Sequence, residues 1–224
     1  MKPFSDKASQ LDNRVLVSTQ KGYEAHGQKY AKADVAAAQK ALEKAGFTKK
    51  GQLYEKGGET LALRLSTTAG NALREQQGVL IQAQLAEVGI RINIDNSPAD
   101  VFFGEHLPGG NFDIGNFAWV GTALPASGAN QIYDSKSDSN FGKYSSPKVD
   151  GLMKQALGET DETARLKLLN QIDVALWEDL VNLPLYQKPT FLAFSDDYVN
   201  IEDNTTTESP FWNSESWALL KSAK

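Results

Sequence analysis

One stretch of the chain, residues 61 to 94, constrains the fold more than any other. Leu61 to Leu65 alternates leucines with other residues, as a strand with one buried face does. Asn71 is a good helix N-cap, and apolar residues follow it at three-and-four spacing until Gly89, a helix-ending residue. Isoleucines then alternate over Ile90 to Ile94. Strand, helix, glycine and strand predict a βαβ unit with parallel strands and a right-handed crossover, so the chain is expected to be an α/β protein.

Helices and further strands are expected on both sides of this unit. Asp34 caps an alanine-rich helix that runs to Ala45, and Gly46 stands in the C-cap position. Ser146-Pro147 begins another helix, and the next runs from about Asp161 to Leu180. The remaining expectations are a strand at 14–18 in an otherwise irregular segment 1–33, a short helix at 98–107, a strand at 112–119, a loop at 120–129 and a strand through 191–194.

Composition excludes several classes of function. The chain of 224 residues carries 23 basic and 28 acidic side chains, and its net charge of -5 opposes binding to a nucleic acid. It has no Cys, which excludes disulfides, thiolate metal sites and cysteine nucleophiles. His26 and His106 are its only imidazoles. No apolar run approaches the roughly 20 residues that a membrane-spanning helix needs.

Candidate catalytic groups are few. Glu105-His106 has no second histidine at helical spacing, so an exposed loop is favoured over a zinc site. Glu178-Asp179 is expected at the end of a helix, where solvated surface is favoured over a catalytic pair. The chain has no G-x-S-x-G elbow, phosphate-cradling loop or dinucleotide fingerprint. Neither an enzyme nor a cofactor is therefore expected.

Aromatic and small residues gather where the strand at 112–119 ends. A loop that leaves the end of a sheet strand is where open α/β folds bind ligands. A large flat surface beside hydroxyls and free backbone groups suits binding of a small molecule without its transformation. The alternative is that these residues are ordinary core and loop positions. They are Trp119, Val120, Gly121, Thr122, Pro125, Ser127 and Tyr133.

Five short motifs follow one another along the chain. They are Asp34 to Phe47, like D-P-x-x-A-x-x-L-L-x-x-A-G-[YF]; Gln84 to Ile90, like Q-L-x-x-x-G-I; Asn111 to Asp113 with Trp119, like G-x-F-D…W; Asn140 to Asp150, like N-x-x-x-Y-S-N-P-E-V-D; and Leu183 to Gln187, like I-P-L-Y-x. Each motif alone is weak, but their shared order and spacing resemble those of the oligopeptide-binding group, family 5, of the extracellular solute-binding proteins of ABC importers.

The resemblance implies a periplasmic-binding-protein-like lobe with a mixed β-sheet flanked by helices. Members of the family are longer, two-lobed chains, so this chain is expected to be their C-terminal portion. Residues 1–33 would hold an N-terminal segment with a hinge strand, 34–182 the ligand-binding lobe, and 183–224 a second hinge strand and a tail returning to the missing lobe. The family's lipidated cysteine would lie in that missing part, and Met1 would begin a truncated chain or a split product.

The resemblance also implies a function. An extended peptide would lie between the lobes with its backbone paired to the protein, and the closed form would be recognised by a membrane permease. Localisation would be extracytoplasmic, with the membrane reached only through a lipid anchor absent from this chain. Hinge residues would be Leu183, Pro184, Leu185 and Tyr186, with a second hinge near Val15 to Tyr23. The expected cleft residues are Trp119, Gly121, Thr122, Asn140 and Tyr144.

The chain departs from the family pattern in the loop that follows the strand Trp. Peptide-binding relatives often place an Asp after the strand Trp to pair with the ligand's α-ammonium, whereas this chain has Thr122 there and no acid before Asp134. An uncharged loop cannot neutralise a buried ammonium. Either another residue does so or the cargo is a nickel chelate, haem, an oligosaccharide or a siderophore. Tyr144 can equally be a core residue with a satisfied hydroxyl.

Two other classes of function stay open at this point. One is a small α/β hydrolase with an unrecognised constellation of groups. The other is a regulatory or interaction domain whose exposed face binds a protein. The aromatic residues of the tail, Phe211, Trp212 and Trp217, are costly to leave in water and favour a partner surface.

Overall fold

The computed structural model describes residues 9–220, which form two compact units. One unit is continuous, from Tyr30 to Ala118, and the other combines the residues up to Lys29 with those from Trp119 onward. These bounds differ from the expected segments 1–33, 34–182 and 183–224. Those segments describe lobes and hinges of a longer protein, and that division stays a prediction. None of the helices within 9–220 has the length and apolarity needed to cross a membrane.

A three-stranded parallel sheet organises the continuous unit. β5 (Ala62–Ser66) lies between β6 (Arg91–Ile94) and β7 (Ile114–Gly115), and Leu65 pairs with Ile94 on one side and Ile114 on the other. The parallel pairing of β5 with β6 across a helix confirms the predicted βαβ unit.

Helix α2 (Ala72–Val88) forms the crossover of this unit. The Asn71 side chain accepts a hydrogen bond from the backbone N–H of Arg74, at 3.1 Å. Gly89 ends the helix with φ at +107°, a conformation that side chains resist. The sheet side of the helix brings Gly78 against Leu65, whose Cδ2 lies 3.4 Å from where a Cβ on that glycine would stand. Both predicted helix ends are confirmed.

An antiparallel meander precedes the parallel sheet. Helix α1 (Val35–Lys44) has the predicted Asp34 cap, which accepts from the Ala37 N–H at 2.8 Å. The chain then forms β2 (Thr48–Lys50), β3 (Leu53–Lys56) and β4 (Glu59–Thr60), which pair in sequence order. The two-residue turns that join these strands, Gly51-Gln52 and Gly57-Gly58, are typical of hairpins.

The expected short helix near 98–107 is present as a helical segment with an irregular middle. It consists of α3 (Ala99–Val101), a π-helical turn (Phe102–His106) and α4 (Leu107–Gly109). Phe102 and Leu107 are both fully buried, so the segment is anchored through its apolar side. Gly110 ends it in the left-handed conformation, with φ at +69°.

The second unit is built on three helices: α5 (Pro125–Tyr133), α6 (Pro147–Gly158) and α7 (Glu162–Glu178). The expected loop at 120–129 is wrong from Pro125 onward, where helix α5 begins. Pro125 suits the first position of a helix, and the small residues of α5 pack inward. The core of this unit is formed by Leu16, Ala126, Ala129, Tyr133, Val149, Met153, Ala156, Leu169, Ile172, Ala175 and Leu176.

The strand predicted at Arg14 to Ser18 is wrong, because this stretch forms bends and turns. The Asn13 side chain explains the irregular backbone. Its Oδ1 accepts from the N–H groups of both Val15 and Leu16, each at 2.8 Å, so these donors are not available to a strand. The N-terminal strand is instead β1 (Ser9–Gln10).

Short strand pairs complete this unit. β1 pairs antiparallel with β8 (Tyr186–Gln187), and β9 (Tyr198–Val199) pairs with β10 (Ala218–Leu219). The strand predicted through Phe191 to Phe194 is wrong: the chain there has no regular structure and the Phe191 side chain is 92% exposed. Pro189 breaks the pattern because it offers no N–H to a neighbouring strand.

Candidate functional site

The chain leaves β7 through a firmly anchored residue. Asn116 is buried, its N–H donates to the carbonyl of Ser66 at 2.9 Å, and its side-chain amide donates to Gln77 Oε1 at 3.0 Å. The Thr67 hydroxyl donates to the Asn116 carbonyl at 2.6 Å. This residue is therefore fixed by β5 and α2 just before the predicted ligand loop begins.

Trp119 forms a flat aromatic surface in the unit that contains α5, α6 and α7. Its ring stacks on Phe141, with ring centroids 5.8 Å apart and planes 8° from parallel. The Trp119 side chain is 40% exposed, so part of the ring is accessible to a ligand. Phe141 stands inside the 140–150 motif and was not singled out from sequence.

Gly121 and Thr122 follow on an exposed and polar stretch of backbone. Gly121 forms an isolated parallel bridge with Thr206, and a Cβ on Gly121 would meet no atom within 4 Å. The Thr122 hydroxyl donates to the Leu124 carbonyl at 2.9 Å. Residues of this loop, α5 and the tail line a pocket of about 230 Å³: Thr122, Ala123, Leu124, Ser127, Gly128, Gln131, Thr207 and Glu208.

Glu208 is an acidic side chain of the tail that lies beside this loop. It lines the same pocket as Thr122 and accepts a hydrogen bond from the hydroxyl of Thr206, the residue bridged to Gly121. This hydroxyl contact lowers the pKa of Glu208, so the carboxylate is ionised at neutral pH. No local signal in the sequence could identify Glu208, because only the folded tail brings it to the loop.

Asn140 and Tyr144 lie in one turn and bond chiefly to the protein itself. Asn140 is buried; its Nδ2 donates to the carbonyls of Asp134 and Tyr144, at 3.2 and 2.6 Å, and its Oδ1 accepts from the Tyr144 N–H at 3.0 Å. Both amide hydrogens are thus used. The turn they brace carries Phe141, on which Trp119 stacks, so Asn140 supports the aromatic surface. Direct contact of Asn140 with a ligand stays a prediction.

The Tyr144 hydroxyl has a hydrogen-bond partner within the protein. The hydroxyl donates to Asp179 Oδ2 at 2.6 Å, and the ring packs on the core. Burial, followed by this hydrogen bond, raises the pKa of Tyr144 to about 12. Its environment is that of a partly buried residue with a satisfied hydroxyl, the alternative that the sequence left open. Tyr133, another residue of the loop cluster, is buried in the core.

The predicted hinge residues lie on an exposed segment next to β1. Leu183 and Leu185 are exposed, and Tyr186 pairs with Gln10 between β8 and β1. The segment is tied at Asn182, whose side-chain oxygen accepts from Arg14 Nε at 2.6 Å. A hinge function for Leu183, Pro184, Leu185 and Tyr186 stays a prediction, as does one for the turns at 15–23.

The other sequence candidates have structural partners. His106 Nδ1 lies 3.3 Å from Ser97 Oγ. Glu178 pairs with Lys148 at 3.1 Å, while Asp179 accepts from Tyr144. Within residues 9–220, no group of three or more His, Asp and Glu side chains is placed to hold a metal ion.

Solved structures of two solute-binding proteins share this fold. The "Periplasmic EDTA-binding protein EppA" superposes with a TM-score of 0.85 and 22% identity over 98% of this chain and 41% of its own. The oligopeptide-binding protein AppA from Bacillus subtilis, solved with a nonapeptide, gives a TM-score of 0.78 and 21% identity over 96% of this chain and 43% of its own. The predicted periplasmic-binding-protein-like α/β fold is confirmed.

Comparison of sequences identifies the family more specifically than comparison of folds. The "Oligopeptide-binding protein OppA" of Mycobacterium tuberculosis (strain ATCC 25618 / H37Rv) is 33% identical over 190 residues, which are 85% of this chain and 32% of that protein. This chain thus spans about a third of the length of the curated relatives it matches. The sequence model "Bacterial extracellular solute-binding proteins, family 5 Middle" matches residues 4–141. Since that match covers more than half of the chain, the chain belongs to family 5 of the bacterial extracellular solute-binding proteins.

Proposed function

We propose that this chain is the ligand-binding lobe of a substrate-binding component of an ABC importer. It captures an oligopeptide or a similar small solute outside the cytoplasm and delivers it unchanged to a membrane permease. The observation that carries the proposal is the exposed Trp119-to-Thr122 loop in a chain of this family. It offers a flat ring and open backbone in place of converging reactive groups.

Backbone pairing gives such a loop its affinity. Gly121 forms a parallel β-bridge with Thr206, and this bridge supports the proposal that the same stretch pairs with an extended chain. A peptide aligned there pairs its own N–H and C=O groups with the loop, while the Trp119 ring covers one of its side chains. Affinity of this kind depends little on peptide sequence.

Glu208 is the proposed partner of a ligand ammonium group. It is the ionised side chain of the pocket that Thr122 lines. Relatives whose loop carries an acidic residue would not need one from the tail. A peptide with a free α-amine satisfies it, whereas a non-peptide cargo such as a nickel chelate, an oligosaccharide or a siderophore does not. The uncharged loop is the observation that keeps this second class of cargo in consideration.

Closure requires a second lobe, which we propose to lie in the longer protein, together with a lipid anchor. Segments 9–17 and 182–187 are the proposed crossings, because β1 pairs with β8 and Arg14 is bonded to Asn182. The exposed tail residues Phe211 and Trp212 are the proposed contacts to that lobe. Bond-breaking chemistry forms no part of this proposal.

Calorimetry with a pentapeptide tests the proposal. The chain joined to its second lobe binds a free-amine pentapeptide, and Trp119→Ala and Glu208→Gln each weaken binding, while Glu59→Gln on β4 does not. N-acetylation of the peptide weakens binding to the unchanged chain and has no further effect on Glu208→Gln. Equal affinity for both peptides overturns the role of Glu208. Mass spectrometry of co-purifying molecules then identifies a non-peptide cargo.

Two results oppose the proposal as a whole. Micromolar or tighter binding of a peptide to the 224 residues alone contradicts capture between two lobes, because half of the contacts would be absent. Turnover above background in a panel of ester, phosphate and peptide substrates favours the hydrolase alternative instead.

A further inference from the structure

A second, larger pocket lies in the helical unit, away from the aromatic loop. It measures about 640 Å³ and is open to solvent. Its wall is formed by a short N-terminal stretch and by the facing surfaces of α6 and α7. The lining residues are Glu24, His26, Lys148, Gly151, Leu152, Gln155, Lys167, Asn170, Gln171 and Val174. Lys148 is the one lining residue that stands in a family motif, and the proposed peptide capture does not use this pocket.

His26 is held in one orientation at the pocket wall. Its Nδ1 lies 2.6 Å from Oδ2 of Asp173, a carboxylate with no exposed side-chain surface, and the imidazole itself is 15% exposed. Asp173 also accepts the backbone N–H of Arg14 at 2.6 Å. In the neutral tautomer that carries its proton on Nδ1, the ring donates to this carboxylate and leaves Nε2 with its lone pair. His26 is one of the residues that line the pocket.

Glu24 faces this nitrogen. Its Oε2 lies 3.6 Å from His26 Nε2, which is too long for a hydrogen bond. In the neutral ring both atoms are electron-pair donors, and two donors face each other favourably only across a cation. A Zn²⁺ ion with bonds of about 2.0–2.2 Å to nitrogen and oxygen holds its ligand atoms at about this separation.

The backbone that carries these two side chains is fixed before any ion arrives. Asn13 Nδ2 donates to the Glu24 carbonyl at 2.9 Å, and the His26 N–H donates to the Asp12 carbonyl at 3.1 Å. Asn170 Nδ2 donates to the Gly22 carbonyl at 2.7 Å, just ahead of the stretch. Ligands on a rigid support lose little freedom on binding, which strengthens a site with few ligands.

We propose that Glu24 and His26 bind a divalent transition-metal ion, with Asp173 as the residue that orients the imidazole. The two side chains supply a carboxylate oxygen and a ring nitrogen, the donors that suit Zn²⁺ and its neighbours. The remaining coordination positions face the pocket, where water or an anionic donor completes them. Of the two lysines that line it, Lys148 is paired with Glu178 at 3.1 Å.

Calorimetry with Zn²⁺ on the tag-free chain at pH 7.5 tests the site. One ion binds per chain. His26→Asn keeps a donor for Asp173 but deletes Nε2, and Glu24→Gln removes the charge of an exposed side chain without disturbing the core. Each weakens binding at least about tenfold, and Asp173→Asn weakens it about 10–100-fold. Glu59→Gln, the same change in the other unit, leaves binding unchanged.

The two histidines of the chain provide an internal comparison by NMR. Zn²⁺ shifts the imidazole signals of His26 and leaves those of His106 in place. The proposal is overturned if no Zn²⁺ binds at millimolar concentration, which would leave a proton as the cation between Glu24 and His26. It is equally overturned if Glu24→Gln, which removes no buried contact, binds Zn²⁺ as the unchanged chain does. Neither outcome bears on peptide capture.

Discussion

Gly27 is pressed against the largest side chain of α7. A Cβ at this position would stand 2.4 Å from Cζ2 of Trp177, a buried ring whose Nε1 donates to the Asp12 carbonyl at 3.1 Å. The Gly27 N–H donates to that same carbonyl at 2.9 Å, and this hydrogen bond holds the backbone close to the Trp177 ring. Gly27→Ala is therefore expected to lower the free energy of unfolding by about 1–3 kcal/mol, measured by urea denaturation.

Gly151→Ala is the matched control for that substitution. Gly151 is exposed within α6, and a Cβ there meets nothing within 4 Å. Because alanine loses less backbone entropy than glycine in a helix, this change is expected to raise the free energy of unfolding by about 0.5–1 kcal/mol. Equal effects of the two substitutions would contradict the close packing of Gly27.

Tyr133 makes the stability of the helical unit sensitive to alkali. Burial raises the pKa of Tyr133 to about 12, against 10.0 for an ordinary tyrosine. The unfolded chain therefore releases this proton at lower pH than the folded chain. The stabilisation is complete below pH 10 and is lost between pH 10 and 12, at about 1.4 kcal/mol per pH unit.

Tyr133→Phe removes that dependence. The substitution costs about 1 kcal/mol at pH 9, because Asn182 Nδ2 loses its acceptor at 3.2 Å. The free energies of unfolding of the two proteins then converge by pH 11, since only the unchanged chain loses the Tyr133 contribution. Parallel curves of unfolding free energy against pH would show that Tyr133 titrates normally.

The structural roles of some residues were predictable from the neighbouring sequence, and those of others were not. Asp34, Asn71 and Gly89 act within four residues of themselves, and their capping roles were predictable. His26 and Asp173 are far apart in sequence, and so are Thr122 and Glu208. Nothing near any of these four residues indicates its partner, because only the packed chain brings the pairs together.

The link between α2 and the end of β7 is a buried amide pair. Gln77 and Asn116 are both buried and bonded at 3.0 Å. Gln77→Met keeps the shape of the side chain but leaves the Asn116 amide without its acceptor. The free energy of unfolding is expected to fall by about 1–3 kcal/mol, measured by urea denaturation.

The neighbouring position on α2 supplies the control. Gln76 is exposed, and Gln76→Met is expected to change the free energy of unfolding by no more than about 0.5 kcal/mol. If both variants are equally stable, the amide pair does not fasten the helix to the strand.

Helices and strands were predictable where the spacing of apolar residues agreed with the signals for the ends of the element. The βαβ unit, α6 and α7 have long apolar stripes between clear end signals, and all three are present. Helix α5 was hidden because its small residues, such as Ala126 and Gly128, resemble those of a loop. The strand expected at 14–18 failed because the Asn13 side chain competes for backbone donors, which apolar periodicity does not report.

The molecule as a whole exposes apolar side chains along its tail. Phe211 is 66% exposed and Trp212 is 48% exposed, and both lie in the 3₁₀ segment Ser209–Ser216. Exposed surface of this kind promotes association, so the chain alone is expected to dimerise with rising concentration. Full burial of one such side chain contributes about 1.5–3 kcal/mol.

Sedimentation equilibrium measures this association. The double change Phe211→Ser and Trp212→Ser is expected to weaken the dimer more than about tenfold, since each tenfold step needs only about 1.4 kcal/mol. Val79→Ser, at an exposed apolar residue of α2, serves as the control and leaves the dimer unchanged. A dimer insensitive to the tail substitutions would place the association elsewhere.

The division of the chain sets the order in which it can mature during synthesis. Residues 30–118 form their own unit and are complete when Ala118 has been made. Leu16, in contrast, is buried in a core that includes Leu169 and Leu176, and the Arg14 N–H bonds to Asp173. Arg14 and Leu16 are thus made well before their partners on α7 and are among the last of these residues to find their places. Until α7 has been made, Arg14 and Leu16 lack these partners and remain accessible to chaperones and proteases. A chain that folds only after export has both parts present when folding starts.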